Sequence, residues 1–356
     1  MSEKLNIGLL YGGRSVEHQI SVLSAKNVYE NIDKNKFIVT IIGIDRLGKW
    51  YLMNSIDSDF NQGSPLRLSL DASSPKFIDS KKNTYEIDVA FPVLHGTDGE
   101  DGSIQGLLKA MNIPFAGSGV LGSSISMDKL IAKQLLFQAG IPVSKYISFT
   151  IEERNTIDYN NVVEKIGLPF MVKPANLGSS VGINKVTNEN EYVSALNHTF
   201  QFDTTVLLEE FIVGRELECA ILGNSHAKAS NPGEIIISDN YDFYTYEAKY
   251  EDKNAVDIQI PAKIDDDIAE QMKKLCIKSY KTLKCEDFAR VDLFLTATGK
   301  IFINEINTIP GFTNISMFPT LWEQHGIKYK SLISKIINLA LDRDKKTKEI
   351  NRSYIS

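Results

Sequence analysis

Residues 287–316 read DFARVDLFLTATGKIFINEINTIPGFTNIS and carry the strongest structural signal in the chain. Two apolar runs, residues 288–295 and 301–306, flank the polar sequence Thr-Ala-Thr-Gly-Lys. Apolar runs of this length around a short, glycine-containing turn predict a β-hairpin. We therefore expect an antiparallel strand pair near the C-terminal end of the chain.

Four polar side chains of this hairpin are expected to share strand faces. Because side chains alternate along a strand, Arg290 and Asp292 lie on one face of the first strand. By the same rule, Glu305 and Asn307 lie together on the second. Buried charges of this kind usually hold a metal or an anionic ligand, and carboxylate and amide oxygens suit Mg²⁺ bridging to phosphates. A satisfied salt-bridge network on a solvated face is the alternative.

The composition is that of an ordinary soluble globular protein with room for two or three domains. The 356 residues are 43% hydrophobic and 24% charged. A formal charge of −6 argues against nucleic acid or an anionic membrane as the main partner. Three cysteines without metal-ligand spacing suit a reducing compartment. No signal sequence or membrane-spanning run is evident, so we expect a cytoplasmic protein.

The N-terminal third predicts a β-α-β unit with a parallel sheet. Residues 5–11 read as a buried strand, residues 15–31 as an amphipathic helix and residues 37–44 as a second strand. The Gly12-Gly13 turn between the first two is not a full dinucleotide fingerprint. Glu17 falls in the first helical turn, where the helix dipole favours a carboxylate. The functional alternative is that Glu17 receives a substrate ammonium group at the strand ends.

A further strand, residues 88–94, ends at His95. The ends of parallel strands are where open α/β sheets bind ligands, although the acidic, glycine-rich loop 95–102 also fits a solvated turn. A helix over residues 103–111 and a short strand over residues 113–116 are expected next. These features make His95 a candidate ligand-binding residue.

The Gly/Ser-rich residues 117–124 predict a hinge and a domain boundary. A helix is expected over residues 127–139, with Lys129 and Lys133 on one face. An anion between domains or plain solvation would explain two lysines there equally well. Residues 50–82 are polar and irregular, and no role is assigned to them.

A loop of small residues predicts a phosphate-binding element. Strands over residues 169–174 and 183–186 flank Ala-Asn-Leu-Gly-Ser-Ser-Val-Gly, and Lys173 lies near the end of the first. Backbone N–H groups and hydroxyls of such a loop contact phosphate oxygens while the lysine supplies charge. The lysine precedes the loop, so the motif is not a Walker sequence.

The strand predicted at residues 206–212 ends in the acids Glu209 and Glu210, and Glu216 follows. Adjacent glutamates are usually exposed, but at a domain hinge one of them could hydrogen-bond an adenine edge while Glu216 binds ribose hydroxyls. Residues 238–250 form an aromatic-rich polar loop. Such a loop is either pinned by its tyrosines or acts as a lid.

Seven motifs, in this order, resemble those of the D-alanine–D-alanine ligase family of the ATP-grasp superfamily. They run along nearly the whole chain: GGRSVEH (12–18), HGTDGEDGSIQG (95–106), SMDKL (126–130), VKPANLGSSVGI (172–183), EAKY (247–250), ARVDLF (289–294) and NEINTIPGFT (304–313). Each motif is weak alone, but together and in register they are highly specific.

The resemblance implies an α/β (α+β) protein of the ATP-grasp fold with three domains. Residues 1–122 would form an N-terminal domain with a parallel sheet that binds the first D-alanine. Residues 123–213 would form a central subdomain with the phosphate loop, and residues 214–356 a C-terminal subdomain with the metal-binding hairpin and the lid. The antiparallel sheets of the last two would sandwich ATP. A homodimer is also implied.

The resemblance also assigns residues to roles. It implies that ATP is bound by Lys133, Lys173, Ser179, Ser180, Glu209, Glu210, Phe211, Ile212, Glu216, Lys249, Asn304 and Glu305. Two Mg²⁺ or Mn²⁺ ions would be held by Asp292, Glu305 and Asn307. The two D-alanines would contact Glu17, His95, Arg290, Gly311, Ser316 and Met317. The catalytic set would be Glu17, Ser179, Tyr250, Arg290 and Gly311.

The implied activity is ATP-dependent formation of D-alanyl-D-alanine for peptidoglycan precursors. In the family, vancomycin-resistance ligases that accept D-lactate carry histidine in place of Tyr250, and D-serine ligases carry phenylalanine. Tyrosine therefore favours a dipeptide ligase, with D-Ala–D-lactate or D-Ala–D-Ser ligation as the alternative. A degenerate nucleotide-binding regulator would be expected to lack one of Arg290, Asp292, Glu305 and Asn307. Other ATP-grasp ligases lack the Glu17, His95 and EAKY features.

Overall fold

The computed structural model describes residues 4–238, 241, 252 and 255–351. The helices of these parts are α1 (His18–Asn31), α2 (Ser103–Ala110), α3 (Val120–Met127), α4 (Lys129–Gln138), α5 (Tyr159–Ile166), α6 (Glu189–Thr199), α7 (Asp266–Thr282), α8 (Met317–Gln324) and α9 (Tyr329–Lys348). None of the helices in the described ranges is long and apolar enough to cross a membrane.

The N-terminal sheet is parallel at its centre, as the sequence predicts. Its strands are β1 (Leu5–Gly12), β2 (Phe37–Ile44), β3 (Trp50–Leu52), β4 (Ser64–Leu68), β5 (Phe77–Asp79), β6 (Thr84–Tyr85) and β7 (Val89–Val93). The order is β6-β5-β4-β3-β2-β1-β7, and β1 pairs in parallel with both β2 and β7. The carboxyl ends of β1 and β7 therefore lie side by side, which brings Glu17 and His95 into one crevice.

Residues 50–82, to which no role was assigned from the sequence, extend this sheet. Strands β3, β4 and β5 add to β2 as an antiparallel run. Phe77 of β5 is buried and stacks on Trp50 of β3, with ring centroids 6.1 Å apart. Apolar side chains at these few positions are enough to seal short strands onto an existing sheet.

Three helix and strand boundaries differ from the predictions. Helix α1 starts at His18, because Glu17 donates its N–H to the Ser15 hydroxyl in a turn that precedes the helix. Asp128 ends α3 and caps α4 through the N–H of Ile131, so the helix predicted at 127–139 begins at Lys129. The strand predicted at 113–116 is a single bridge between Ala90 and Phe115.

Two further sheets are antiparallel, as the resemblance implies. The central sheet has the order β10-β9-β11-β8, from β8 (Tyr146–Thr150), β9 (Phe170–Pro174), β10 (Asn184–Val186) and β11 (Thr205–Glu210). The C-terminal sheet has the order β15-β14-β12-β16-β17, with β13 beside β12. Its strands are β12 (Arg215–Leu222), β13 (Lys228–Ala229), β14 (Gly233–Ile237), β15 (Val256–Gln259), β16 (Phe288–Leu295) and β17 (Ile301–Asn307).

Separate apolar cores support these sheets. Helix α7 packs Met272, Cys276 and Tyr280 against the C-terminal sheet, and α5 and α6 cover the central sheet through Val162 and Leu196. A larger core joins the N-terminal sheet to the C-terminal helices and includes Phe91, Phe312 and Trp322. The segment after β17 is thereby packed between the two ends of the chain.

Candidate active site

The predicted hairpin is present, and a β-bulge sets its functional face. Strands β16 and β17 pair antiparallel, with Leu293 opposite Ile303 on the turn side. Continuing that pairing would place Asn304 opposite Asp292. The register instead shifts by one residue, so that Asp292 lies opposite Glu305. Since a one-residue shift exchanges the two strand faces, the bulge brings Glu305 to the face of Asp292.

Arg290 lies at the centre of this face between two carboxylates. Its Nε and NH2 groups donate to the two oxygens of Asp292, each at 2.7 Å. Its Nε is also 2.9 Å from Glu218 Oε2 on the neighbouring strand β12. Burial lowers the pKa of Arg290, but Asp292 and Glu218 outweigh that effect and raise it. The guanidinium therefore stays charged in a site that excludes most water.

Asp292, Glu305 and Asn307, which are predicted to bind metal, lie close together on this face. Asn307 Nδ2 donates to Asp292 Oδ2 at 3.0 Å, and Glu305 lies across the ladder. No group of three His, Cys, Asp or Glu side chains suited to a metal occurs within residues 4–238, 241, 252 and 255–351. Two carboxylates and one amide oxygen still fit Mg²⁺, which takes its other ligands from water and nucleotide phosphates.

Glu17 is held in a tight corner built by glycines. Its Oε1 accepts a short hydrogen bond from the Ser179 hydroxyl. This bond joins the N-terminal domain to the predicted phosphate loop, residues 175–182. A Cβ atom added to Gly96 would lie 2.5 Å from Glu17 Oε2, and one added to Gly178 would lie 3.1 Å away. Only glycine leaves room there for the carboxylate.

The phosphate loop has an unusual backbone. Ser179 and Ser180 have φ values of 54° and 58°, in the left-handed region that non-glycine residues rarely adopt. Residues in such conformations cluster at ligand clamps and switch regions. The loop follows β9 and turns back into β10, as the sequence predicts.

Two adjoining cavities collect most of the predicted site residues. A cavity of about 570 Å³ is lined by all of the predicted D-alanine contacts: Glu17, His95, Arg290, Gly311, Ser316 and Met317. A second, of about 490 Å³, lies between the central and C-terminal sheets. Its walls include Lys173, Ser179, Ser180, Glu209 and Glu210 from the central part, followed by Phe211, Ile212, Glu216, Asn304 and Glu305. Ser179, Glu218 and Glu305 line both cavities.

Lys133 lies elsewhere than predicted. Its side chain is 2% exposed and sits behind Glu209, at 3.4 Å from Glu209 Oε2, and it does not line the nucleotide-sized cavity. Lys129, one helical turn earlier, does line that cavity, and its Nζ donates to the Leu177 carbonyl at the start of the phosphate loop. The sequence predicts both lysines on one helix face, but the packing of α4 against the central sheet leaves only Lys129 at the cavity.

Glu209 and Lys173 form the floor of the same cavity. Lys173 Nζ is 3.0 Å from Glu209 Oε2. Burial raises the pKa of Glu209, but Lys133 and Lys173 outweigh it and lower that pKa to about 2. The other carboxylate oxygen, Oε1, is buried and has no hydrogen-bond partner among the residues that the structure describes. An unpartnered buried acceptor in a cavity suits a ligand that brings an N–H donor, such as the exocyclic amine of adenine.

His95 is buried, and both of its ring nitrogens are engaged. Nδ1 lies 2.8 Å from the Ile309 carbonyl, and Nε2 lies 3.0 Å from the Ser24 hydroxyl. Burial lowers the pKa of His95, which favours the neutral ring. The sequence assigns no role to Ser24, Glu100 or Glu218, because each meets its partner at a distant position of the folded chain. Lys249 and Tyr250 lie outside the described residues.

Family models match both halves of the chain. The model described as D-ala D-ala ligase N-terminus matches residues 6–118, and that described as D-ala D-ala ligase C-terminus matches residues 135–338. The chain belongs to the D-alanine–D-alanine ligase family. It is similar to the D-alanine–D-alanine ligase of Shouchella clausii, with 45% identity over 98% of each chain. It is also 44% identical to D-alanine–D-alanine ligase A of Escherichia coli K12, over 96% of this chain and 97% of that protein.

Solved structures agree with the family assignment. The D-alanine–D-alanine ligase from Coxiella burnetii matches with a TM-score of 0.88 and 34% identity, covering 98% of the ligase described here and 97% of that chain. The VanG D-Ala:D-Ser ligase from Enterococcus faecalis matches with a TM-score of 0.86 and 34% identity, over 95% of this chain and 100% of that one. The ligase therefore has the ATP-grasp fold that its motifs imply.

Proposed function

We propose that the ligase joins two D-alanine molecules into D-alanyl-D-alanine for peptidoglycan precursors, with ATP converted to ADP and phosphate. The observation that carries the proposal is the adjacency of the two cavities, which share Ser179, Glu218 and Glu305 in their walls. One cavity has the size and polar groups for two small amino acids, and the other those for a nucleotide. A carboxylate in the first cavity can thus meet a γ-phosphate in the second.

ATP is proposed to lie between the central and C-terminal sheets. Glu209 Oε1, for which the described part of the chain offers no hydrogen-bond partner, suits the adenine amine, with the Phe211 and Ile212 backbone and Glu210 beside it. Glu216 and Asn304 line the same cavity. Lys129 and Lys173, together with the phosphate loop at Ser179 and Ser180, would neutralise the phosphates. Asp292, Glu305 and Asn307 would hold two Mg²⁺ or Mn²⁺ ions, which neutralise charge on the phosphates when bound.

The first D-alanine is proposed to bind through Glu17, which accepts its ammonium group. Its carboxylate oxygen attacks the γ-phosphorus and ADP leaves, which yields D-alanyl phosphate. Because the nucleophile and the phosphates are all anionic, cationic groups have to neutralise them. In this step Lys129, Lys173 and Arg290 supply the protein's own positive charge.

The amine of the second D-alanine then attacks the carbonyl carbon, and phosphate leaves. Arg290 and the Gly311 N–H are proposed to stabilise the oxyanion of the tetrahedral intermediate. Ser316 and the backbone of Met317 would bind the carboxylate of this second D-alanine. An acyl phosphate hydrolyses readily, so exclusion of water by the aromatic loop with Lys249 and Tyr250 is part of the proposal. A homodimer remains a prediction from the resemblance.

D-alanine–D-serine ligation is the second candidate, since the VanG D-Ala:D-Ser ligase has a TM-score of 0.86 to this chain. The 45% identity to a D-alanine–D-alanine ligase favours the dipeptide of two D-alanines. Tyr250, which in the resemblance distinguishes the classes, supports the same choice.

The proposal is tested by product analysis. Purified ligase receives MgATP and D-alanine, alone or with an equal concentration of D-serine or D-lactate, and chromatography separates the products. We expect D-alanyl-D-alanine in every mixture, with little mixed product at neutral pH. Predominant D-alanyl-D-serine or D-alanyl-D-lactate would retain the ATP-dependent ligation and replace the second substrate. Absence of D-alanine-dependent ADP release would contradict the proposal as a whole.

A further inference from the structure

Both polar groups of the Ile309 backbone are held by side chains of one N-terminal loop. The Ile309 N–H donates to Glu100 Oε1 at 2.7 Å. The Ile309 carbonyl accepts from His95 Nδ1 at 2.8 Å. Glu100 is itself fixed, because its Oε2 accepts the N–H of Gly96 at 2.9 Å. His95 and Glu100 belong to the same turn after β7. Hydrogen bonds from this turn therefore fix the position of Ile309, just after the β16–β17 hairpin.

Ser24 holds the other end of the same segment, at Phe312. A carbonyl can only accept, so His95 Nδ1 carries a proton, and in the neutral ring Nε2 accepts from the Ser24 hydroxyl at 3.0 Å. The Ser24 oxygen in turn accepts the N–H of Phe312 at 3.2 Å. The Phe312 carbonyl is held as well, by Asn27 Nδ2 at 2.7 Å.

Gly311 therefore lies between Ile309 and Phe312, whose backbone groups are held by hydrogen bonds. Ile309 is anchored on one side and Phe312 on the other, while Pro310 restricts its own φ. Ser24, His95 and Glu100 are all buried, so water cannot replace these bonds cheaply. An oxyanion donor is effective only when it is aimed in advance at the position where charge develops. The anchors define the direction of the Gly311 N–H.

We propose that Ser24 and Glu100, acting with His95, are positioning residues that aim the Gly311 N–H for attack by the second D-alanine. The inference rests on the proposed function and deepens it. It also gives His95 a role through the Ile309 backbone. None of the three anchors is required to touch the reacting atoms.

The test uses Ser24→Ala and Glu100→Gln in the full-length ligase. Ser24→Ala removes both the bond to His95 and the acceptor for Phe312. Glu100→Gln keeps the shape of the side chain but replaces one of the two oxygens that accept the Gly96 and Ile309 N–H groups with an amino group. Glu100→Gln disturbs the Ile309 side of Gly311, whereas Ser24→Ala disturbs the Phe312 side and also the support of His95.

Ser21→Ala is the matched control. Ser21 lies on the same buried face of α1, three residues earlier, and its hydroxyl bonds the Gly12 N–H and the Val93 carbonyl. It therefore ties α1 to its own sheet, and its hydroxyl bonds neither residues 309–312 nor the side chains that hold them. Both serine variants remove one buried hydroxyl from one helix, so their melting temperatures should fall by similar amounts.

Rapid-quench single turnovers with MgATP and D-alanine measure ADP formation and dipeptide formation separately. For Ser24→Ala and Glu100→Gln we expect ADP to form at close to the wild-type rate and dipeptide about tenfold more slowly, since misplacement near an oxyanion costs this much or more. Ser21→Ala should change neither rate. Ser24→Thr, which keeps a hydroxyl, should restore dipeptide formation.

Equal slowing of ADP and dipeptide formation in Ser24→Ala and Glu100→Gln would overturn the positioning role, and so would wild-type rates of both. Either result leaves the proposed function intact, because the wild-type ligase still makes dipeptide. If the wild-type ligase itself releases ADP without forming dipeptide, the proposed function fails first, and the two failures are thereby distinguished.

Discussion

The space around the Glu17 carboxylate depends on a missing side chain at Gly96. An added Cβ would meet Glu17 Oε2 at 2.5 Å and Ser15 Oγ at 2.7 Å, and Gly96 has φ of +72°. We predict that Gly96→Ala displaces Glu17 and raises the KM for D-alanine at least tenfold, a binding loss of about 1.4 kcal/mol or more. Steady-state kinetics with varied D-alanine at saturating ATP give the value.

Gly140→Ala separates this contact from backbone strain. Gly140 has φ of +68°, but the nearest atom to an added Cβ is Lys278 Nζ at 4.0 Å. Both variants therefore carry a similar conformational penalty, roughly 1–2 kcal/mol, and should lose similar stability. A KM for D-alanine that rises equally in both variants would show that the space around the Glu17 carboxylate does not determine D-alanine binding.

Arg290 lies between the carboxylates of Asp292 and Glu218, and its loss should be severe. We predict that Arg290→Ala lowers kcat on the order of 10²–10³-fold, the effect of removing one oxyanion donor. Arg343→Ala is a control with similar surroundings, because both arginine side chains are mostly buried and each lies between two carboxylates. Arg343 lines neither cavity. If kcat falls equally in both at a temperature where both are folded, Arg290 has no special part in the chemistry.

At the scale of secondary structure elements, the bulge in the β16–β17 hairpin shows the limit of sequence reasoning. Alternation correctly grouped Arg290 with Asp292 on one strand, and Glu305 with Asn307 on the other. It could not decide whether those two groups share a face, since the regular register would oppose Asp292 to Asn304. A bulge depends on how the ladder accommodates the neighbouring strands and has no signature in TGKIFINEIN. The family motifs, not the periodicity, carried that part of the prediction.

The lysines of α4 show a related limit. A helix from residue 127 and one from Lys129 have the same periodicity, yet Asp128 starts a new helix and directs Lys129 toward the phosphate loop. Lys133 is then left to neutralise Glu209 from behind. Spacing predicted that both lysines share a face, but which of them borders a cavity depends on how α4 packs on the central sheet.

Glu209 of β11 pairs with Lys133 of α4 and Lys173 of β9, so the free energy of unfolding should depend on pH in the acid range. Glu209 has a pKa of about 2 in the fold, below its ordinary 4.5, so its contribution is present above pH 4.5 and is lost as the pH falls toward 2. At about 1.4 kcal/mol per unit this is roughly 3 kcal/mol. We predict that Glu209→Gln lowers the free energy of unfolding by about that amount at pH 7. The deficit should shrink below pH 4.5 in urea titrations, whereas a deficit independent of pH would contradict the assignment.

At the scale of the whole molecule, Arg343 of α9 joins the two ends of the chain. It donates to the carbonyls of Phe115 and Gly117 and pairs with Glu286 and Asp287. Asp287 is completely buried, and burial raises its pKa to about 6 despite Arg343. One charge cluster thus connects residues 115–117, residues 286–287 and Arg343. These contacts fix the start of the hairpin against the N-terminal domain.

We predict that Arg343→Ala lowers the free energy of unfolding by about 3–5 kcal/mol, because it leaves a buried carboxylate without its partner. A carboxyl whose folded pKa lies above its ordinary 3.8 stabilises the fold most at low pH and less as the pH rises through 6. Without Arg343 that pKa rises further, so the deficit should be larger at pH 8 than at pH 5. Urea unfolding at both values measures it. A smaller deficit at pH 8 would contradict the role given to Asp287.

The overall architecture was largely predictable, whereas the connections between domains were not. Alternation and turn signals located the parallel strands, the phosphate-loop strands and the hairpin, because each is set by local pattern. Ser24, Glu100 and Arg343 act across sequence separations of more than 200 residues. No local pattern encodes such partners, so the hydrogen bonds that hold residues 309–312 can be found only in the folded structure.

The transfer of a carboxylate oxygen to phosphate tests the central claim most directly. The ligase receives MgATP and D-alanine labelled with ¹⁸O in its carboxylate, and mass spectrometry follows the released phosphate and the dipeptide. Attack of the carboxylate on the γ-phosphorus predicts one ¹⁸O atom in each phosphate and one dipeptide for each ADP. Unlabelled phosphate, or ADP release that does not depend on D-alanine, would contradict ligation through an acyl phosphate.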